Sequence, residues 1–357
     1  MRPRQSLALL AVALSLALAC ATPRAQPAPT RSPANTAPAA SGADAAAPPD
    51  APAPRHLTIG ISSADSSAVL WTARDAGLFA RYGLDVDVPY LSGVKAVQSL
   101  VAHQTEYGLI SGRTTSDAYL AGADVVLLAG LSTTIAFQIF GTPGLAQPAD
   151  LRGQTIGITQ FGASTDFAAR QSLRRFGMEA DRDYSLFQTG GTPESLAALQ
   201  SGGVQAAVLS SPSTITARRA GLPMVLDVGE LGIPYVGGAL AVNRDFLAQE
   251  PDVSRRVLKA IVESIHYAKT NPAPTKEIIG RYLQTSDDDV LQETYDLQIQ
   301  RNLQRTPTVS LEGIQTVLDT VADENPRARE LAPATLVDPT LLQELEASGF
   351  IKQLWGD

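Results

Sequence analysis

Cysteine is almost missing from this chain: Cys20 is the only one in 357 residues. A single thiol excludes an internal disulfide framework and every cysteine-rich zinc or iron–sulfur site. Histidine is nearly as scarce, with His56, His103 and His266 alone. No metal centre and no cofactor is expected from so few ligands. Positive charge is thin and scattered. The net charge is -8, and no basic block stands out. Binding a phosphate backbone calls for a clustered positive surface, so nucleic acid is not an expected partner. What the chain does hold is apolar material, 44% of its residues against 18% charged, enough for a sizeable core.

The first 54 residues differ from the rest. Arg2 and Arg4 precede an apolar run from Leu7 to Ala19. At about 13 residues the run is too short to span a bilayer but suits the hydrophobic region of a signal peptide. It ends in Leu16-Ala17-Leu18-Ala19-Cys20, which resembles a lipobox with Ala17 where leucine is preferred. Residues 1–20 are therefore expected to be a lipoprotein signal peptide, with Cys20 the lipidation site. Plain secretion is the alternative, since Ala17-Leu18-Ala19 also fits an A-x-A cleavage rule. Residues 21–54 hold nine prolines and thirteen alanines and little else apolar. Such a segment cannot bury a core and reads as a disordered tether.

From Arg55 onward short apolar strands alternate with amphipathic helices. Leu57–Ile61, Leu84–Val88, Tyr107–Ile110, Val125–Gly130, Thr155–Ile158, Tyr184–Gln188, Ala206–Leu209 and Met224–Val228 read as strands. Helices are expected at 69–80, 94–103, 166–176 and 193–200, and in a turn-led segment after Ile110. This rhythm predicts an α/β fold with parallel sheets covered by helices. After Arg244 the pattern is almost wholly helical. Val257, Leu258, Ile261, Val262 and Ile265 share one helix face.

Four strand-to-helix turns share one design: Ser62–Ser67, Ser111–Thr115, Phe161–Thr165 and Ser210–Ser213. Each is rich in small hydroxyl residues or glycine. Ligands of open α/β sheets bind beyond the carboxyl ends of strands, where helix N-termini offer unpaired N–H groups. Candidate ligand-binding residues are Ser62, Ser63 and Ser66, then Ser111, Gly112 and Arg113, then Phe161, Gly162, Ser164 and Thr165, then Ser210 and Ser211. Trp71 and Tyr235 are candidate apolar walls beside Phe161. Arg113 could pair with an anionic group. Helix capping alone also explains any one of these turns. Asp287-Asp288-Asp289 reads as a first helical turn rather than a calcium site, and Thr192-Pro193-Glu194 as a helix start.

Read in order, several segments resemble one family. Gly77-Leu78-Phe79-Ala80-Arg81-Tyr82-Gly83-Leu84-Asp85-Val86, Leu151-Arg152-Gly153-Gln154-Thr155-Ile156-Gly157-Ile158, and Phe161-Gly162-Ala163-Ser164-Thr165 are similar to motifs of ABC-transporter substrate-binding proteins of the nitrate/sulfonate/taurine type. So are Thr189-Gly190-Gly191-Thr192-Pro193-Glu194 and the run Leu196–Leu209, with Gln205 where an acid is usual. The resemblance spans about 57–355. It implies a type II periplasmic-binding-protein fold, two Rossmann-like lobes joined by two hinge crossings. Lobe one would take 57–145 plus 240–357 and lobe two 146–239. It also implies an extracytoplasmic solute-binding component of an ABC importer, in the periplasm or at the cell surface. That protein would bind a small solute between the lobes and deliver it to permease subunits; the turns suggest an anionic one, with nitrate, an alkanesulfonate, taurine, an aromatic carboxylate and a neutral pyrimidine all open. A monomer is expected, held to the membrane through its lipid.

Two other functions compete. A sensory protein would bind the same ligand and signal in trans. An enzyme resembling pyrimidine-precursor synthases would turn its ligand over, but the cysteine-rich motif of those enzymes is absent. No G-x-S-x-G nucleophile elbow occurs either, and no catalytic residue is expected.

Overall fold

A computed structural model describes residues 54–62, 64–91 and 94–356. The signal peptide, Cys20, the proline-rich tether and Ser63 lie outside the described residues.

Ten strands form two five-stranded sheets. They are β1 (Arg55–Ile61), β2 (Leu84–Asp87), β3 (Tyr107–Ile110), β4 (Val125–Thr134), β5 (Gln138–Gly141), β6 (Thr155–Ile158), β7 (Ser185–Gln188), β8 (Ala206–Leu209), β9 (Met224–Asp227) and β10 (Pro234–Asn243). The first sheet has the order β2-β1-β3-β10-β4 and the second β7-β6-β8-β5-β9. The two orders share one plan, in which the strand next to the far edge is the one that crosses from the other sheet. That plan corrects the expectation of purely parallel sheets. β1 pairs parallel with β2 and β3, but β10 runs antiparallel to β3 and β4. β5 likewise runs antiparallel to β8 and β9. A strand that arrives directly from the other sheet, without a crossover helix, enters in the opposite sense.

β5 and β10 also move the expected lobe boundaries. Gln138–Gly141 belongs to the second sheet although it was assigned to lobe one, and Pro234–Asn243 to the first although its start was assigned to lobe two. The chain changes sheets at 135–137 and again at 228–233.

Each sheet buries its strands among helices. Leu57, Ile59, Tyr107, Leu109, Leu240 and Val242 are all but completely buried, packed with Val257, Leu258 and Ile261 of the long helix Pro251–Thr270. On the second sheet Ile156, Ile158 and Val208 pack with Phe167 and Leu173 of the helix Ser164–Arg174. The helix expected over 69–80 is two helices, Ala68–Asp75 and Leu78–Arg81. Gly77, in the left-handed region at φ 70°, ends the first, a conformation that side chains with a Cβ disfavour. Gly349, at φ 78°, separates the last two helices in the same way, Thr340–Ala347 and Phe350–Trp355. The helix that starts at Asp288 runs to Tyr295 and then widens into a π turn, Asp296–Arg301. Its start is as expected: the Asp287 carboxylate accepts the Asp289 and Val290 N–H groups.

Candidate functional site

The carboxyl ends of β1 and β3 in the first sheet and of β6, β7 and β8 in the second open onto one cleft of about 940 Å³. Its floor is made by the two chain crossings, through Ala136, Phe137, Tyr235 and Gly237. The turns are held firmly. Ser62 donates its hydroxyl to the Leu109 carbonyl at 3.0 Å. Gln298, from the π turn, donates to the Ala64 carbonyl at 3.0 Å and accepts the Ala68 N–H at 3.2 Å. Ser111 caps the helix Gly112–Leu120 by accepting the Thr114 N–H at 3.2 Å. Thr165 Oγ1 accepts the Thr159 N–H at 2.9 Å, closing the turn after β6.

Ser62, Ser66, Ser111, Arg113, Phe161, Gly162, Ser164, Thr165, Ser211 and Tyr235, all expected from the sequence, line this cleft. Three others do not. Trp71 is buried on the far side of its helix, stacked on Tyr282 with centroids 4.7 Å apart. Gly112 lies under the packing of its helix, where a Cβ would meet Ile314 at 3.0 Å and Val236 at 3.1 Å. Ser210 is buried, its carbonyl accepting the Thr214 N–H.

Sequence reasoning missed a fifth turn. Gly190–Glu194 follows β7 and faces the cleft, although its Thr-Pro-Glu was read as a helix start alone. The helix does begin at Thr192, with Gly191 at the capping position. Counting strand ends rather than hydroxyl residues would have found it. Asp117, Asp166, Arg170 and Glu324 were missed as well, because they lie on helices one turn or more beyond the strand ends.

Arg113 differs most from expectation. Its side chain is only 6% exposed, and its Nε donates to Asp117 at 2.9 Å and its Nη2 to Glu324 at 2.6 Å. Burial pulls its pKa down, but the hydrogen bonds to these two carboxylates outweigh that and hold it above the ordinary value. Burial raises the Asp117 carboxyl, against the pull of Arg113. Across the cleft Asp166 accepts the Gly162 N–H at 2.8 Å and pairs with Arg170 at 2.7 Å. Tyr235 stacks on Phe167 and donates its hydroxyl to Ser164 at 2.8 Å, and burial pushes its pKa up.

Both flanks of the cleft are bridged between the sheets' helices. On one side Gln171 donates to Thr320 at 2.7 Å and Arg174 reaches Asp323 at 3.3 Å. On the other, Thr214 donates to Glu293 at 2.7 Å, Arg218 pairs with Glu293, and Arg219 pairs with Asp287 and Asp289. In both bridges the arginine pairs are made by long, part-exposed side chains that water can replace, whereas Thr214 and Thr320 are buried.

Two sheets of matching strand order, facing each other across a cleft, define a protein of the type II periplasmic-binding-protein fold. Residues 65–275 match the family described as NMT1/THI5 like, and since this is more than half of the chain, the protein belongs to that family. A curated relative from Brucella abortus, named as a binding protein, is 25% identical over 216 residues, 59% of this chain and 66% of its own length. The match therefore spans just under two thirds of that relative. Among solved structures, the alkanesulfonate-binding protein SsuA of Xanthomonas axonopodis is 19% identical with a TM-score of 0.66, over 81% of this chain and 100% of its own. The ligand-binding component of an ABC-type import system of Staphylococcus aureus is 15% identical with a TM-score of 0.68, over 81% and 98%. At these identities the likeness is one of fold.

Proposed function

We propose that this protein is the solute-binding component of an ABC importer, working outside the cytoplasm, and that its cleft holds a small solute for delivery to permease subunits. The observation that carries this is the cleft itself: five strand ends from two sheets converge on it, and the floor is two chain crossings about which the halves can turn. Small organic ligands occupy clefts of roughly 300–1,000 Å³, and this one has about 940 Å³. The import-system and binding-protein names of its structural neighbours and curated relative support the same role. Cys20 is the proposed lipid anchor, with 21–54 as tether.

Thermal unfolding against a panel of nitrate, alkanesulfonates, taurine, aromatic carboxylates, pyrimidines and organic amines tests the reading. A solute at 100 times its Kd adds about 2.7 kcal/mol of apparent stability, a readily measured rise. Changing Ser164 and Thr165 to alanine abolishes that rise if the cleft is the site. A rise that survives both changes places the solute elsewhere. Incorporation of labelled palmitate that disappears in Cys20→Ala tests the anchor.

A further inference from the structure

The solute-binding reading leaves the charge of the solute open, and the side chains of the cleft bear on it. Four carboxylates line it, Asp117, Asp166, Glu194 and Glu324, against two guanidinium groups, Arg113 and Arg170. Exposure sharpens the imbalance. The side chains of Asp117 and Glu324 are 47% and 59% exposed, while those of Arg113 and Arg170 are 6% and 29% exposed. Arg113 is thus less exposed than the two carboxylates that hold it, whereas in the second pair Asp166, 4% exposed, is the more buried member. Arg113 is already held by two carboxylates and Arg170 by one, so neither offers a free cation to an incoming anion.

Some N–H groups at the strand-end turns are similarly engaged. The Gly162 N–H points at Asp166, the Thr114 N–H at the Ser111 hydroxyl, and Glu194 sits in the first turn of its own helix. At the turns after β6 and β7, one of the protein's own acids stands where a ligand's charge would go. The remaining wall is aromatic: Tyr90 and Phe161 line the cleft 62% and 57% exposed. Exposed aromatic faces beside carboxylates favour an organic cation, through both apolar contact and the ring quadrupole. The cleft volume is far more than a bare inorganic ion fills.

Resting on the solute-binding reading, we infer that this cleft selects an organic solute carrying a basic nitrogen over an organic or inorganic oxyanion. The nitrogen lies against Asp117 and Glu324, and the carbon skeleton against Tyr90 and Phe161.

The test is isothermal titration of the full chain with three probes of closely similar skeleton: 2-phenylethylammonium, 2-phenylethanol and 3-phenylpropionate. The ammonium probe is expected to bind about tenfold or more tighter than the other two, with an advantage that shrinks as salt rises. Glu324→Gln should remove most of that advantage, lowering the ammonium probe's affinity more than the alcohol's. Glu194→Gln, at an exposed position whose side chain makes no ion pair among the described residues, is the second variant and should reduce it in part. Tightest binding by the carboxylate, or equal binding by all three, overturns the inference and leaves the solute-binding reading standing. If none of the three binds at millimolar concentration, the inference falls, and the solute panel above decides the reading separately.

Discussion

Gly313→Ala is expected to destabilise this protein although it replaces a poor helix former with the best. Gly313 is the third residue of the helix Leu311–Glu324, and its N–H donates to the Ser310 cap at 3.0 Å. On an open helix surface the change to alanine would add up to about 1 kcal/mol. Here a Cβ would meet the Tyr235 backbone carbon at 3.0 Å, its nitrogen at 3.1 Å and its oxygen at 3.2 Å. Main-chain atoms cannot rotate aside, so helix and β10 must part by a few tenths of an ångström. Overpacking of this kind costs about 1–3 kcal/mol. With three backbone contacts strained at once, the upper end applies, and the net loss is about 2 kcal/mol. For a folded body of about 300 residues this lowers the unfolding midpoint by roughly 3 °C. Since Tyr235 lines the cleft and bonds Ser164, solute affinity should fall as well. Thermal unfolding followed by circular dichroism reads the first effect, with Glu312→Ala as a neutral control on the same turn, within about 0.5 kcal/mol of the parent. A Gly313→Ala variant as stable as the parent, or more so, would refute the reasoning.

Three further outcomes follow from the same geometry. Tyr235→Phe deletes the bond to Ser164 and should cost about 1 kcal/mol, measured by urea unfolding; no change would mean that water replaces the bond at no loss. Trp71→Ala should cost about 3–5 kcal/mol yet leave the solute affinity of the folded fraction unchanged, because Trp71 stacks on Tyr282 away from the cleft. The hydrogen bonds from Arg219 hold Asp287 down to about 2. Its pairing therefore stabilises the fold above the unfolded carboxyl value near 3.9 and is lost as pH falls towards 2. Acid unfolding of Arg219→Ala should accordingly lose this part of its pH dependence, and an unchanged acid limb would show that the pair does not matter.

Most of the fold was legible because its signals are local. Strands such as Tyr107–Ile110 and Ala206–Leu209 are short apolar runs buried on both faces, and the helix Pro251–Thr270 carries its apolar stripe openly. β5 and β10 were not legible as strands, and both are the crossing strands. β10 opens on a proline and carries Gly237-Gly238, a composition that argues against a strand. The structure explains it by close approach: a Cβ on Gly238 would collide with Ser66, and one on Gly237 would press on Ser132. The glycines are there to let the cleft loop come down onto the strand. Tertiary contact, which no local pattern reports, overrode strand propensity.

The site was legible to the same degree and failed for a related reason. A turn at a strand end can be seen in sequence, and so ten of the candidate residues meet in the cleft. What a residue does there depends on partners far along the chain. Arg113 shows this most clearly. As one arginine in a small-residue turn it pointed to an anionic solute. In the folded protein Glu324, 211 residues away, and Asp117, one helical turn on, already hold it. A buried guanidinium must be paired, because leaving it alone would cost far more than the pairing. The two carboxylates are more exposed than the arginine they hold, so the residue that suggested an anion already has its charge met within the protein.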